Sequence, residues 1–134
     1  MSQENVDLVR SICAPWEGGD FDSAEWAHPE VEYVIADGPA AGRWVGLAGL
    51  AEGWRSFLDA WQGFRAEAED YVEIDDERVL VPRHNTGRGR TSGLELGPMR
   101  SRGANLFHIR DGKVTRLVTY VDREHALEAV GLRE

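Results

Sequence analysis

Cysteine is almost missing from this chain: Cys13 stands alone in 134 residues. One thiol builds neither a disulfide framework nor a cysteine metal cluster, and a reduced, cytoplasmic setting is the expectation. Lysine is equally scarce, since Lys113 is the single lysine among 15 basic residues. No apolar run is long enough to cross a membrane as a helix. The opening segment MSQENVDLVR lacks the basic-then-apolar order of a secretion signal. Positive charge is in deficit, with a net charge of −9, which excludes nucleic acid or an anionic membrane as the main partner. No two of the four histidines combine with a carboxylate at metal-ligand spacing, so neither a metal nor another cofactor is predicted. GRG at 87–89 lacks the strand–glycine–helix context of a phosphate loop.

What is present suits one domain over residues 1–134, long enough to bury a core without staples. Val6, Val9, Cys13 and Trp16 predict an amphipathic helix over 3–17. A short second helix is expected at 21–27 and a break at His28-Pro29. EVEYVIA at 30–36 alternates as a half-buried strand, and 40–45 reads as a loop or short strand. Leu47, Leu50, Trp54, Phe57, Leu58 and Trp61 form a helical stripe over 47–62, weakened by Gly49 and Gly53. The period then changes to two. Strands are predicted near 65–74, 78–87, 92–109 and 113–121, with Pro82 marking an edge or bulge. Asp111-Gly112 is the strongest hairpin signal. Asp122 caps a last helix that closes at Gly131. Helices first and a meander later is an α+β order. Charge is segregated: seven acids lie within 65–77, and five arginines within 83–102. Both runs read as solvated strand faces.

ENVDLVR near the start, GDFD at 19–22, HPEVEY at 28–33 and RDGKVTRLVTYVDREHALEAVGL at 110–132 together resemble the SnoaL-like branch of the nuclear transport factor 2-like superfamily. The resemblance spans about residues 3–132 and lies in the order and spacing of these stretches. It implies a cone-shaped α+β barrel, with helices packed in a strongly bent antiparallel sheet around a deep apolar pocket. It also implies a homodimer through the outer sheet face. Fold alone does not fix function. In the steroid isomerase pattern, the tyrosine falls at Ile12 or Cys13, the base at Tyr33 and the second aspartate at Asn105. The Arg-x-Asp of epoxide hydrolases falls on Gly103-x-Asn105. The histidine and acid of polyketide cyclases fall on Asn105 and Thr119. The residues that do this chemistry are thus replaced in all three.

If odd positions of the last two strands face inward, Gly103, Asn105, Phe107, Leu117, Thr119 and Val121 line the pocket. Trp16, Trp26, Tyr33, Trp54, Leu58 and Trp61 face them from the other side, as core or as ligand contacts. Asn105 and Tyr33 are the candidates for holding a carbonyl oxygen, and His84 for moving a proton. Arg83 and His84 are neighbours on a strand, so one faces in and the other out. Asp37 is expected near the cone mouth, His108 away from the pocket, and His28 and His125 in solvent or capping roles. Cys13 has no basic neighbour in its own turn and reads as an inert thiol. Two functions remain open. One is an enzyme acting on a small apolar or aromatic, carbonyl-bearing molecule by isomerase-, cyclase- or lyase-like chemistry. The other is a binding or dimerising module without turnover.

Overall fold

Val9, Ile12, Cys13 and Trp16 recur at three- and four-residue intervals, and all four are buried. That stripe winds Ser2–Glu17 into helix α1, the first element of the computed structural model, which describes residues 2–17, 25–36, 41–59, 61–89 and 102–131. Then come β1 (Ala27–Ile35), β2 (Gly42–Val45), α2 (Gly46–Asp59), β3 (Trp61–Ala68), β4 (Val72–Asp75), β5 (Arg78–Gly89), β6 (Arg102–Arg110), β7 (Lys113–Tyr120) and α3 (Arg123–Ala129). The helix expected at 21–27 falls mostly outside the described residues, and its end, Glu25–Trp26, is a turn. Residues 37–40 and 90–101 also lie outside them, and with them Asp37 and the first part of the strand expected at 92–109.

The described strands form one open sheet in the order β2-β1-β7-β6-β5-β3, with β4 also paired to β5. Every pairing is antiparallel except β1 with β7, which is parallel. The sheet is therefore mixed, where the sequence predicted an antiparallel one. Hairpin signals report neighbours in the chain; the parallel partner of β1 arrives from more than 80 residues away, as Tyr33 beside Leu117.

Local sequence explains the irregularities. His28-Pro29 does not end an element. It sits in a bulge of β1, where the register against β7 slips between Ala27 and Glu32 and the Glu30 N–H donates to His28 Nδ1 at 3.0 Å. The strand expected at 65–74 is two strands on one edge of β5. β4 pairs with Arg78–Leu80 and β3 with Arg83–Gly89. Pro82 stands opposite the break between them. Its carbonyl accepts the Glu69 N–H at 2.9 Å, and its own missing N–H faces the same gap, where no ladder bond is lost. At the β6–β7 turn, Asp111 and Gly112 have φ of 53° and 77°, both in the left-handed region that a type I′ turn demands.

Helix α2 ends at Asp59, short of the expected residue 62, and Trp61 opens β3 instead. Leu47 is 44% exposed and lies outside the buried stripe that contains Leu50. Gly53 is required by close approach. A Cβ there would lie 2.6 Å from Trp44 Cδ2 and 2.8 Å from Tyr33 Cδ2.

Two cores result. On the inner face, Val31, Tyr33, Ile35, Val79, Val81, Phe107 and Leu117 pack against α1 and against Leu50 of α2. On the outer face, Leu80, Leu106, Val118 and Tyr120 pack against Ala126 of α3. Each fully buried large side chain contributes about 1.5–3 kcal/mol, so the inner core dominates stability. Asp122 caps α3 as expected, its carboxylate accepting the Glu124 N–H at 3.1 Å. Among the described residues no helix is long and apolar enough to cross a membrane.

Candidate functional site

The inner face carries polar groups where an ordinary core would be apolar. Asn105 and Thr119 are direct partners across β6 and β7, and both are buried. The Asn105 Nδ2–H donates to Thr119 Oγ1 at 3.0 Å, and Thr119 Oγ1 lies 3.2 Å from the phenol oxygen of Tyr33 on β1. A chain of three side chains thus crosses three neighbouring strands. Asn105 Oδ1 has no partner among the described residues. When Thr119 donates to Tyr33, the chain runs from amide to hydroxyl to phenol, and the phenol hydrogen is left to donate onward. Burial pushes the Tyr33 phenol well above its ordinary range, outweighing the Thr119 hydrogen bond and the positive charge of Arg83. At neutral pH Tyr33 is a neutral donor and not a base.

Aromatic rings surround this chain. Tyr33 meets Trp54 edge-on at 5.3 Å and Trp44 at 5.9 Å between centroids. Trp16 lies 5.0 Å from Trp54, 6.3 Å from Trp26 and 6.0 Å from Phe107. Of the predicted lining, Trp16, Trp26, Tyr33, Trp54, Asn105, Phe107, Leu117 and Thr119 do converge on one face. The side chains of Leu58 and Trp61 lie outside the described ones. Trp44 went unassigned in the sequence because β2 is only four residues long, although its alternation puts Gly42 and Trp44 on one face, opposite Arg43 and Val45.

His84 is the correction. Val79 and Val81 of β5 face the inner core, and two residues further on Arg83 does too, only 2% exposed. His84 takes the opposite face, beside Glu67 of β3 in the register. Strand alternation allows no other outcome once the valines are placed. The segment RVLVPRH hid this, because three consecutive apolar residues leave its parity open. Arg83 is thereby removed from the solvated arginine face to which its charge assigned it. Among the described residues its guanidinium is the one buried charged group, and its Nε and Nη2 have no hydrogen-bond partner there. Burial lowers it to about 10, with Tyr33 and Cys13 acting in the opposite direction. It remains a cation at neutral pH. Cys13, judged from its own helical turn, therefore has a basic neighbour after all, brought by β5.

His108 points away from this cluster, as its parity predicted. Its pKa is lowered by burial and by the cations of Arg116 and Arg78. A cleft of about 320 Å³ opens at the β6–β7 end, lined by Glu77, His108, Ile109, Arg110 and Thr115, apart from the interior polar groups. Among the described residues no three His, Cys, Asp or Glu side chains gather as metal ligands.

Comparison with known proteins agrees with this architecture. The curated proteins contain no match. Solved structures similar to the chain include Bal32a from a soil-derived mobile gene cassette, at 19% identity and a TM-score of 0.72, covering 89% of each chain. TerC, co-crystallised with polyporic acid, is 21% identical with a TM-score of 0.72, over 96% of this chain and 98% of its own. An NTF2-like protein from Burkholderia xenovorans is 24% identical with a TM-score of 0.68, over 97% and 98%. These likenesses concern the fold. The family model of the SnoaL-like domain matches residues 9–117, most of the chain, and this protein therefore belongs to the SnoaL-like domain family.

Proposed function

We propose that this chain binds a small apolar or aromatic, carbonyl-bearing molecule against the inner face of its sheet, with the Tyr33 O–H and the second Nδ2–H of Asn105 donating to the carbonyl oxygen. The observation that carries the reading is the buried Asn105–Thr119–Tyr33 chain, with Trp44 and Trp54 against Tyr33: its phenol hydrogen is left to donate to a carbonyl, and Asn105 Oδ1, without a partner among the described residues, is left to accept a ligand O–H or N–H. A core built only for stability gains nothing from an amide whose oxygen is unpaired, which costs about 1–3 kcal/mol. That TerC, a protein of this fold, was co-crystallised with polyporic acid supports a small-molecule reading. Isomerase- or cyclase-like chemistry would suit a donor set that stabilises a developing oxyanion.

Binding without turnover is the second reading, and one observation favours it. Every Asp and Glu with a described side chain is exposed, except Glu32, which is half-buried and paired with Arg43 and Arg116. No described carboxylate is therefore placed to remove a carbon-bound proton inside. A homodimer through the outer sheet face is part of the same proposal, and sedimentation at micromolar concentration checks it.

A thermal-shift screen of aromatic ketones, aldehydes and quinones tests the main reading. A ligand at 100 times its Kd adds about 2.7 kcal/mol, a rise of several degrees in Tm. Tyr33→Phe and Asn105→Ala should each weaken the best ligand. If no compound shifts the melting point, or both variants bind it as the wild type does, the reading is wrong. Product formation from that ligand separates enzyme from binder.

A further inference from the structure

The reading above assigns the neutral donors and leaves the buried charge unexplained. Arg83 is 2% exposed, and its Nε and Nη2 lack partners among the described residues. A cation withdrawn from water needs a counter-charge or loses several kcal/mol of hydration. None of the described carboxylates supplies one, since all are exposed apart from Glu32, and Glu32 is paired with Arg43 and Arg116. The two orphaned nitrogens are also a specific pair. Nε–H and the adjacent Nη2–H run parallel along one edge of the guanidinium, the edge that grips both oxygens of a carboxylate.

The backbone beneath the side chain is anchored. Arg123 of α3 donates to the Arg83 carbonyl at 2.9 Å and pairs with Glu69 at 2.8 Å, which fixes the backbone of β5 at this point. Across the ladder from Arg83 stands Gly103, which carries no side chain. Two residues further along β6 lies Asn105, whose Oδ1 has no partner among the described residues. The same face of the sheet carries the apolar residues and rings of the inner core.

We infer that the ligand of this interior is an aromatic or apolar carboxylic acid bound as its anion, with Arg83 donating Nε–H and Nη2–H to the two carboxylate oxygens. This rests on the proposal that the interior takes a small molecule, and names that molecule's class. The aromatic body lies among the tryptophans, and the Asn105–Thr119–Tyr33 chain addresses a second oxygen function. Acid and neutral analogue differ by one charge and little shape, so the buried cation is what discriminates between them.

The test pairs benzoate, cinnamate and 2-naphthoate each with its own amide, titrated at pH 7 by calorimetry and by tryptophan quenching. A charged hydrogen bond is worth more than a neutral one by enough to predict an acid that binds about tenfold or more tighter than its amide. Arg83→Met should erase that preference, and Arg83→Lys, which keeps the charge without the fork, should restore part of it. Equal binding of acid and amide by the wild-type protein overturns the inference and leaves the pocket reading standing. So does a preference that survives in Arg83→Met. Should neither acids nor amides bind while aromatic ketones do, the inference again falls alone. Should no aromatic compound of any kind bind, both fall. The wild-type comparison decides the matter even if Arg83→Met does not fold.

Discussion

Replacing Arg83 by Met should make the ligand-free protein more stable. Burial takes the guanidinium from its ordinary 12.5 to about 10. At 1.36 kcal/mol for each pKa unit, the folded chain carries about 3 kcal/mol of unfavourable charge burial at neutral pH. Methionine has a similar reach and flexibility, fills much of the same space and removes the charge. Exchange of buried ionic groups for apolar ones commonly gains about 1–4 kcal/mol. Lost van der Waals contact of the guanidinium offsets part of this, so a net gain of about 1–3 kcal/mol is expected. For a domain of this size that is a Tm higher by roughly 3–10 °C. Urea unfolding should show a higher midpoint at an unchanged slope. A loss of 3 kcal/mol or more would refute the reasoning, because it is the signature of a paired structural cation. The stabilised variant should also lose its preference for acids, the usual exchange between stability and a site held ready for charge.

Other outcomes follow from the same interior. Thr119→Val removes the shared oxygen of the Asn105–Thr119–Tyr33 chain and should cost about 1–3 kcal/mol in chemical denaturation, with less than additive loss when combined with Tyr33→Phe. Gly53→Ala places a Cβ 2.6 Å from Trp44 and 2.8 Å from Tyr33, and should cost about 1–3 kcal/mol by overpacking, seen as a lower Tm and changed near-ultraviolet dichroism. Tyr33 prefers its protonated form when folded. Its stabilisation is complete below the unfolded phenol value of 10.0 and is lost as pH rises above it towards the folded value. Arg83 acts oppositely, its burial cost fading from about pH 10 upward. Phenolate absorbance should therefore show Tyr33 ionising late, and Tyr33→Phe should flatten the alkaline fall in stability.

How much of this was written in the chain differs from element to element. Asp111-Gly112, the alternation within each of the last two strands and the spacing of Val9, Cys13 and Trp16 each specify their own backbone, so the hairpin and the first helix are readable in the chain. The pairing of Asn105 with Thr119 does not follow from the turn alone: with Arg110 opposite Lys113, an unbroken ladder would set Asn105 opposite Val118. The bulge between His108 and Ile109 shifts the register by one residue and brings Thr119 opposite Asn105. Helix α2 was read too long, because a helical stripe and a strand's first residue look alike when Trp61 is apolar in either.

The sequence by itself determined the α+β order, the hairpin and the cap at Asp122, since these depend on periods and turn residues within a few positions. Tertiary structure alone decided the parallel seating of β1 against β7, the break of β3 from β4 opposite Pro82, and the choice of Arg83 over His84. Each depends on partners distant in the chain. The side of β5 that faces inward was fixed by helices packing on its valines, and a charged residue was carried inside with them. That long-range burial, which no local pattern records, turned an arginine of an apparently solvated run into the central charge of the interior.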